Sequence, residues 1–587
     1  MAQFDTKIVG GTIVDGDGGE PFVADIGIKD GRIAAIGPDL AGDAARTVDA
    51  TGHLVTPGFV DIHTHYDGQI SWDDQLAPSC YHGVTTAVLG SCGVGFAPCR
   101  KSDRQRLIEL MEGVEDIPGT ALSEGIKWGW ESFPEYMDAL EKTPRAIDYA
   151  LHVPHDAVRV YVMGDRALAD EPATDADIAA MRALVREALE AGAVGFSTGR
   201  SDNHRSVDGS ATPASEADAR ELAGIAEALD GLPYGTLQAV SDFDINDGKG
   251  EFEREFDVLE AMARAGKGKR MSVSLIQRNR DTQQWRKIMR RAEQATAEGF
   301  PIRLQVGARG IGVLLGLQAT FHPFIGHPTY KAIAKRPLAE QVAELSKPEV
   351  RARLLSEKPD RMTGDGSNLP PMVDDFLANI DFVAARLFRF TPEFNYEPSL
   401  KQSLLAQAYA EKKPVLEVLL DAMLMDEGRE LLYFPVFNYA NGNLDDVQAM
   451  LEHPLALPGL SDGGAHVGTI CDASFPTFLM SYWTRDRERG RLPLPRVVQL
   501  LTADGADHIG LTDRGRIKVG LRADLNIIDH QGLTLDRPRM VQDLPAGGRR
   551  LMQDAHGYKA TFVKGEQILA DDKLLPARPG TLVRLGR

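Results

Sequence analysis

The chain has 587 residues, 43% of them hydrophobic and 26% charged, which suits one large domain with additions or several smaller domains. Its formal net charge of −20 disfavours nucleic-acid binding, which needs clustered cations. Four cysteines are too few for a disulfide framework, the N-terminal residues carry no targeting pattern, and no run of about 18 apolar residues could span a bilayer. These features predict a cytoplasmic protein with no membrane or nucleic-acid partner.

Both ends of the chain have the pattern of short β-strands. Residues 1–56 alternate apolar runs such as KIVGGTIVDG and RTVDATGHLVTPG with Gly, Asp and Pro turn signals. Residues 506–587 return to this pattern in RIKVGLRADLNIID and YKATFVKGEQILADD. We predict that the two ends form one small β-sandwich domain, with two unrelated β segments as the alternative.

The middle of the chain, residues 57–505, alternates short buried strands with amphipathic helices. Eight apolar runs have strand character, from PGFVDIHTH at 57–65 to LALPGLSDGG at 455–464. Eight strand–helix alternations predict an α/β fold, a (β/α)₈ barrel of the TIM type. Residues 308–430 are too long for one connection, and PLAEQVAELSKPEVRARLLSE within them has helical character, so we predict an inserted, mostly helical subdomain or lid.

The first candidate ligands are His63 and His65, which end the first predicted barrel strand in DIHTH. Residues two apart on a strand point to the same side, so both imidazoles can bind one metal ion. Cys92 follows the second strand in VTTAVLGSCG, and two imidazoles with a thiolate suit Zn²⁺. A small buried hydrophobic residue is the alternative for Cys92, and we expect Cys80 and Cys99 to be structural.

The eighth predicted strand leads into SDGGAH, which contains Asp462 and His466. The C-terminal ends of barrel strands form the active site, so we predict that Asp462 touches the metal and acts as general base. A turn-forming aspartate is the alternative. His466 either contacts the substrate, supports a ligand or is a hydrogen-bonded loop residue.

Residues 195–199, GFSTG, match the G-x-S-x-G nucleophile motif, which requires a helix directly after the serine. The polar stretch RSDNHRSVDG follows instead, so the motif does not predict a serine hydrolase. In this stretch Arg200, His204 and Arg205 are candidate contacts for a substrate carboxylate, with solvated surface charges as the alternative.

The motif VTPGFVDIHTHYD and the paired β-rich ends resemble the metal-dependent amidohydrolase superfamily. LGSCGVGFAP, EAGAVGFSTG and SDGGAH narrow the resemblance to the N-acyl-D-amino-acid deacylase (D-aminoacylase-like) branch, over most of the chain and weakest in 308–430. The resemblance implies a distorted barrel, a small β-sandwich built from both termini and a Zn²⁺ site. It assigns His63, His65 and Cys92 as metal ligands and Asp462 as ligand and catalytic aspartate.

The chain departs from this branch at two positions. Deacylases of the branch carry metal-binding histidines after the fifth and sixth strands, whereas YGTLQAVSDFD and MSVSLIQRN here offer Gln238 and Gln277. A neutral carboxamide is a poor Zn²⁺ ligand, so we expect one ion rather than two, with the two glutamines orienting the substrate. His204, His322 and His327 are the candidates to replace the missing imidazoles.

Together these residues predict metal-dependent hydrolysis of a small-molecule amide, an N-acyl amino acid and in particular an N-acyl-D-amino acid. The metal activates water and Asp462 moves the proton. Hydrolysis of a cyclic amide or carbamate is one alternative, and a non-catalytic, ligand-binding relic of the family is the second. Large enzymes of this kind often form symmetric homo-oligomers.

Overall fold

A barrel of eight parallel strands forms the centre of the computed structural model, which describes residues 2–243, 251–363, 369 and 372–586. Each strand pairs with the next one along the chain, and a parallel bridge between Thr64 and Gly463 nearly closes the ring. The first to eighth barrel strands are Phe59–Asp61, Val84–Leu89, Asp148–Pro154, Gly195–Arg200, Thr236–Ser241, Arg270–Leu275, Ile302–Val306 and Ala456–Pro458.

The predicted (β/α)₈ barrel is confirmed, since each of the eight apolar runs contains one of these strands. Strands covered on both faces are expected to be apolar throughout, and the second and third barrel strands are buried at every residue. The local signals for helix ends also act as expected. Thr174 caps the helix Asp175–Ala191 in a capping box with Asp177, and Gly192 ends the helix at a φ of 112°.

Helices follow the barrel strands and cover the outside of the barrel. Within the described ranges, none of the helices has both the length and the apolar character that crossing a bilayer requires. The helices outside the inserted region are Arg104–Glu115, Gly119–Gly125, Phe133–Glu141, His155–Met163, Asp165–Leu168, Asp175–Ala191, Ala219–Ala226, Phe252–Ala265, Gln284–Ala297, Asp445–Leu451, Phe475–Phe478, Leu494–Leu501 and Ala503–Ile509.

Strands from both ends of the chain pair in one nine-stranded mixed sheet. The antiparallel pair Leu54–Pro57 and Leu525–Ile528 joins the two ends. The other strands of this sheet are Phe4–Ile13, Phe22–Lys29, Arg32–Gly37, Ala44–Asp49, Tyr558–Val563, Glu566–Ala570 and Lys573–Leu574. In the chain, two short antiparallel ribbons come between Leu525–Ile528 and Tyr558–Val563. They pair Thr534–Leu535 with Ala555–His556 and Arg539–Leu544 with Gly548–Met552.

The connection between the seventh and eighth barrel strands contains an inserted region of helices and a small antiparallel sheet. Its strands are Ile311–Leu315, Phe388–Arg389 and Leu432–Phe437. Its helices are Pro328–Lys331, Leu338–Leu345, Pro348–Ser356, Met372–Ala378, Ile380–Ala384, Leu404–Glu411, Val415–Met423 and Met425–Gly428. The helical stretch at 337–357 is split in two because Pro348 starts a new helix at its first position.

Candidate metal centre

Four predicted ligands converge at the C-terminal mouth of the barrel. The donor atoms of His63, His65 and Cys92 lie within 4.8 Å of one another, and all three residues are buried. The Cys92 Sγ atom lies 3.2 Å from His63 Nε2. Asp462 Oδ1 lies 3.3 Å from His63 Nε2 and 3.8 Å from His65 Nε2. The structure therefore brings two imidazoles, a thiol and a carboxylate around one point.

The backbone after the second barrel strand turns Cys92 into the mouth. Gly90 and Cys92 both have left-handed backbone conformations, with φ of 78° and 57°. A Cβ at Gly90 would lie 2.4 Å from the His152 carbonyl oxygen, so the turn needs glycine there. The Cys92 N–H donates to Gln238 Oε1 at 3.0 Å, which fixes the loop to the fifth strand.

Ser197, the serine of the GFSTG motif, also holds this loop. It is fully buried within the fourth barrel strand, its hydroxyl donates to the Gly90 carbonyl, and it accepts the Gly93 N–H at 3.2 Å. Its hydroxyl is thus occupied on both sides by the backbone. The motif has a structural role here, which agrees with the absence of a nucleophile signature in the sequence.

The loop after the eighth strand stores backbone strain at the site. Leu460, Asp462 and His466 have left-handed conformations with φ of 58°, 50° and 48°. Such conformations cost free energy in residues with a side chain and are maintained where surrounding contacts enforce them. Here the Ser461 hydroxyl donates to Asp61 Oδ2 at 2.6 Å, which ties the loop to the first strand.

A second layer of side chains orients both imidazoles. His63 Nδ1 lies 2.6 Å from Gln305 Oε1, and Gln305 Nε2 donates to the Ser272 hydroxyl at 2.8 Å. His65 Nδ1 lies 3.1 Å from a carboxylate oxygen of Glu115, a residue only 1% exposed. An acceptor beside Nδ1 keeps the proton there, so the Nε2 lone pair of each ring is directed into the site.

The electrostatics of the site favour a bound cation. Burial lowers the pKa of His63 to about 4, so this ring is neutral. Burial alone would raise the pKa of Asp462, but the neighbouring imidazoles of His65 and His63 hold it well below its usual range. Burial raises the pKa of the Cys92 thiol to about 11, so a cation has to displace its proton.

This donor set fits Zn²⁺. Nitrogen, sulfur and oxygen donors in groups of three or four are the usual coordination of the ion, and here His63, His65 and Cys92 offer three donors close together, with Asp462 beside the two imidazoles. The Glu115 carboxylate beside His65 matches the carboxylate–histidine arrangement that supports metal-binding imidazoles. The residues present therefore fit the metal that the resemblance implies.

A cavity of about 270 Å³ opens from these donors. This volume is near the lower end of the range of about 300–1,000 Å³ for small-molecule sites. His204 and His466 line it, as does the guanidinium-bearing Arg278. The inserted region lines the remainder with apolar side chains, among them Val313 and Phe434.

The three residues predicted to contact a substrate carboxylate have different surroundings in the structure. Arg200 is buried and pairs with both carboxylate oxygens of Glu255 at 2.9 Å, so it is already neutralised and is not among the cavity-lining residues described. Arg205 donates to the Asp202 carbonyl at 2.9 Å and likewise is not among them. His204 does line the cavity, but desolvation lowers its pKa to about 3, so it is neutral.

The two glutamines at the ends of the fifth and sixth strands serve the protein itself. Gln238 accepts the Cys92 N–H, as described above, and is fully buried. Gln277 Oε1 accepts the Ala440 N–H at 3.0 Å, and its amide nitrogen donates to Asp446. Neither glutamine is among the described residues of the cavity wall, because each amide is turned into the loops that it supports.

The histidines of the inserted region have structural surroundings. The His322 ring lies edge-on to Tyr330 at 4.3 Å between centroids, and His327 lies 5.3 Å from Phe324 and caps the helix Pro328–Lys331. Neither belongs to the group of potential ligands found among the described residues. They do not replace the missing imidazoles in this arrangement.

Sequence reasoning missed three residues of the site, Glu115, Gln305 and Arg278. Arg278 comes directly after the sixth predicted strand, and that position was the available signal. Gln305 lies within the seventh strand, IRLQV, and its burial there is not indicated by the sequence pattern. Glu115 ends the helix Arg104–Glu115, and nothing local in the sequence indicates that it reaches His65.

The chain is similar to known proteins over most of its length. The sequence profile of the amidohydrolase family matches residues 46–366 and 410–569. A D-aminoacylase of Alcaligenes xylosoxydans xylosoxydans is 41% identical over 197 residues, which are 33% of this chain and 38% of that protein. The alignment thus spans less than two fifths of this relative.

Two solved structures share the fold over nearly the whole chain. A D-aminoacylase studied for its binuclear metal center has a TM-score of 0.63 and 23% identity, with 99% of this chain and 100% of that chain covered. An N-acyl-D-glutamate deacylase of Bordetella bronchiseptica, solved with zinc and a phosphonate inhibitor, has a TM-score of 0.64 and 22% identity, with 99% of each chain covered. Because the family profile covers most of the sequence, the chain belongs to the amidohydrolase family.

Proposed function

We propose that this chain hydrolyses the amide bond of an N-acyl-D-amino acid, taking up water and releasing a carboxylic acid and the free amino acid. The observation that carries the proposal is the position of Asp462, whose carboxylate oxygen lies within 3.8 Å of both His63 and His65. The partial match to a D-aminoacylase supports this substrate class.

We infer that one Zn²⁺ ion is held by His63, His65, Cys92 and Asp462. Zn²⁺ supplies Lewis acidity when bound, which polarises an acyl carbonyl and makes water acidic near neutral pH. In the described part of the chain, the ends of the fifth and sixth strands contribute Gln238 and Gln277 to loop contacts and supply no imidazole for a second ion. The donors present thus support a single site.

Asp462 is the residue that moves the proton. Its carboxylate oxygen lies 3.3 Å from His63 Nε2, among the predicted metal donors, and we infer that it accepts the proton that the attacking water loses. After the carbon–nitrogen bond breaks, the departing amine needs a proton, and the same carboxyl group delivers it. Proton uptake and release at one side chain therefore complete the hydrolysis.

Arg278 is suited to bind the carboxylate of the amino acid. Its side chain lines the cavity and donates to two neutral acceptors, the Gln284 side chain at 2.9 Å and the Ser241 carbonyl at 2.7 Å. Burial lowers its pKa to about 10, which leaves the guanidinium charged at neutral pH. The Asp242 carboxylate also interacts with this guanidinium, whose remaining N–H groups can pair with a substrate carboxylate and orient the scissile amide.

The setting of the reaction follows from the composition of the chain. We propose that the protein acts in the cytoplasm on a small-molecule substrate, with four buried, unpaired cysteines in keeping with a reducing compartment. A homo-oligomer is our expectation for the assembly, on the general behaviour of large enzymes.

The proposal is tested with the zinc-loaded protein, its metal content measured by elemental mass spectrometry. We expect close to one Zn²⁺ per chain, turnover of linear N-acyl-D-amino acids, and loss of activity in Asp462→Asn without loss of fold by circular dichroism. Turnover confined to lactams, hydantoins or carbamates would show that the enzyme acts on the alternative substrate class of cyclic amides and carbamates. A chain that binds no zinc and turns over neither class would be a ligand-binding relic.

A further inference from the structure

The cavity has two walls of opposite character. The barrel loops provide the metal donors together with polar groups such as Asn203, Ser241 and Asp242. The inserted sheet provides a continuous apolar face made of Ile311, Val313, Leu315, Phe434 and Val436, which we call the apolar wall. Most of these side chains are already shielded from solvent, so an apolar group is favoured over a polar one in the space beside them.

Strand geometry explains why the apolar wall is continuous. Alternate residues of a strand share one face, and Val313 pairs directly with Phe434 across the two antiparallel strands. The intervening residues Leu314 and Tyr433 point the other way and are buried in the main core of the protein. The sheet is therefore a two-sided layer, with one side anchored to the barrel and the other side facing the cavity and the helices of the inserted region.

The apolar wall is fixed to the barrel mouth at two places. The Leu314 N–H donates to the Thr469 carbonyl at 2.7 Å, in the loop that follows Asp462. At the other end of the sheet, the Asn438 N–H donates to the Gln277 carbonyl at 3.0 Å, and the Gln277 N–H donates to Asn438 Oδ1 at 2.8 Å. The wall is thus a preformed part of the site.

The charged group of the cavity, Arg278, lies at one end of the apolar wall, because the preceding residue Gln277 is hydrogen-bonded to Asn438. The Arg278 guanidinium donates to the Ser241 carbonyl, which places it against the end of the fifth strand. The apolar wall follows the seventh strand and contacts the loop after the eighth. A substrate whose carboxylate pairs with Arg278 and whose amide reaches the metal donors therefore has the apolar wall alongside it, with room for an acyl group toward the Leu315 end of the sheet.

We propose that the apolar wall receives the acyl group, and that the substrates are N-acyl amino acids with a medium-length or bulky apolar acyl chain rather than an acetyl group. This inference rests on the proposed function and names its acyl specificity. Each methylene that is fully buried contributes about fourfold in binding. Several methylenes against the wall are expected to increase kcat/KM well above the value for the acetyl compound.

The test compares kcat/KM for N-octanoyl-D-alanine and N-acetyl-D-alanine. We expect a ratio above tenfold in favour of octanoyl for the wild-type chain. Val313→Phe places an aromatic ring in the cavity at the apolar wall and is expected to reduce that ratio more than tenfold. Val313→Ala leaves this part of the cavity open, so the preference for octanoyl is expected to remain. The matched control is Tyr409→Ala, since Tyr409 lies on the same inserted region but is 74% exposed, and its ratio is expected to equal that of the wild type.

A second arm compares N-acetyl-D-phenylalanine with N-acetyl-D-alanine. If the apolar side chain is preferred and Val313→Phe removes that preference, the wall binds the amino-acid side chain and the proposal is overturned. An octanoyl to acetyl ratio near one also overturns it while the proposed function stands.

Failure of the proposed function has a different signature, namely no turnover of any N-acyl amino acid by the zinc-loaded protein. In that case, the binding of octanoate and of acetate to the protein is measured by calorimetry. If octanoate binds and Val313→Phe abolishes this binding, the apolar wall is supported as the acyl-binding site. Equal binding of the two acids, or binding of neither, would overturn this proposal.

Discussion

The barrel mouth and the inserted region supply opposite sides of one cavity, and they are stabilised in different ways. At the barrel mouth, His63 and His65 each have a polar partner behind the ring, Gln305 and Glu115 respectively. In the inserted region the histidine rings pack edge-on or tilted against aromatic rings. The same residue type is thus oriented for a cation in one region and buried as a neutral packing group in the other.

The largest expected difference between the two regions is in metal binding. His63→Asn removes a donor and the chain is expected to lose its tightly held zinc together with about 10³-fold or more of its activity. His327→Asn is the matched control, because that ring is equally buried but lies outside the cavity. Zinc content and kcat/KM are measured for both variants. Zinc loss in His327→Asn would mean that the inserted region also provides a ligand.

Glu115 gives the next largest effect, since it acts on the metal site through His65. Glu115→Gln keeps the shape but removes the negative charge 3.1 Å from His65 Nδ1. We expect zinc affinity, measured by chelator competition, to weaken about 10–100-fold. Glu112→Gln on the same helix is the control, because Glu112 only accepts the Gly119 N–H at 2.9 Å, a contact that glutamine retains. Equal affinities in the two variants would assign Glu115 a role in packing alone.

The contrast between these residues also shows what the sequence could predict. His63, His65, Cys92 and Asp462 were predictable because each follows a strand, and parallel strands bring their C-terminal ends to one edge. The eight barrel strands were predictable from their apolar runs, although the intervals between the strands differ widely. Glu115 was not, because its contact with His65 joins the end of a helix to a distant strand.

The glutamines and arginines show a second limit of sequence reasoning. Gln277 follows the sixth strand and Gln238 lies within the fifth, yet their amides bind backbone groups of neighbouring loops. Arg200 also follows a strand, but Glu255 neutralises it. Position after a strand therefore predicts that a side chain reaches the mouth, whereas its partner depends on loops whose course the sequence does not specify. The apolar wall was missed because its two strands are more than one hundred residues apart.

Gly312 tests whether the inserted sheet is as rigid as its contacts indicate. A Cβ on this residue would lie 2.0 Å from the ring of Tyr433, which is buried and donates to the Gly310 carbonyl at 2.7 Å. Because the ring cannot move away, Gly312→Ala is expected to lower the free energy of unfolding by about 1–3 kcal/mol. The control is Gly129→Ala, which would meet no atom within 4 Å. Urea unfolding of both variants measures the difference, and equal stabilities would show that the sheet is loosely packed.

The smallest expected effect concerns pH and the neutral histidine of the inserted region. Burial lowers the pKa of His322 to about 3, and the residue is only 1% exposed. A histidine whose pKa is lowered by folding contributes stability above its unfolded pKa of about 6.5, and that stability is lost as the pH falls below this value. Between pH 7.5 and pH 6 the loss amounts to about 0.8 kcal/mol, because the unfolded chain takes up a proton that the folded chain excludes.

His322→Asn keeps an acceptor near the Phe324 N–H, which His322 Nδ1 accepts at 3.2 Å, and removes the titrating group. The fall in unfolding free energy between these two pH values should therefore be smaller by this amount in the variant. An identical fall in both proteins would mean that His322 titrates normally, and that the inserted region is open enough for water to reach the ring.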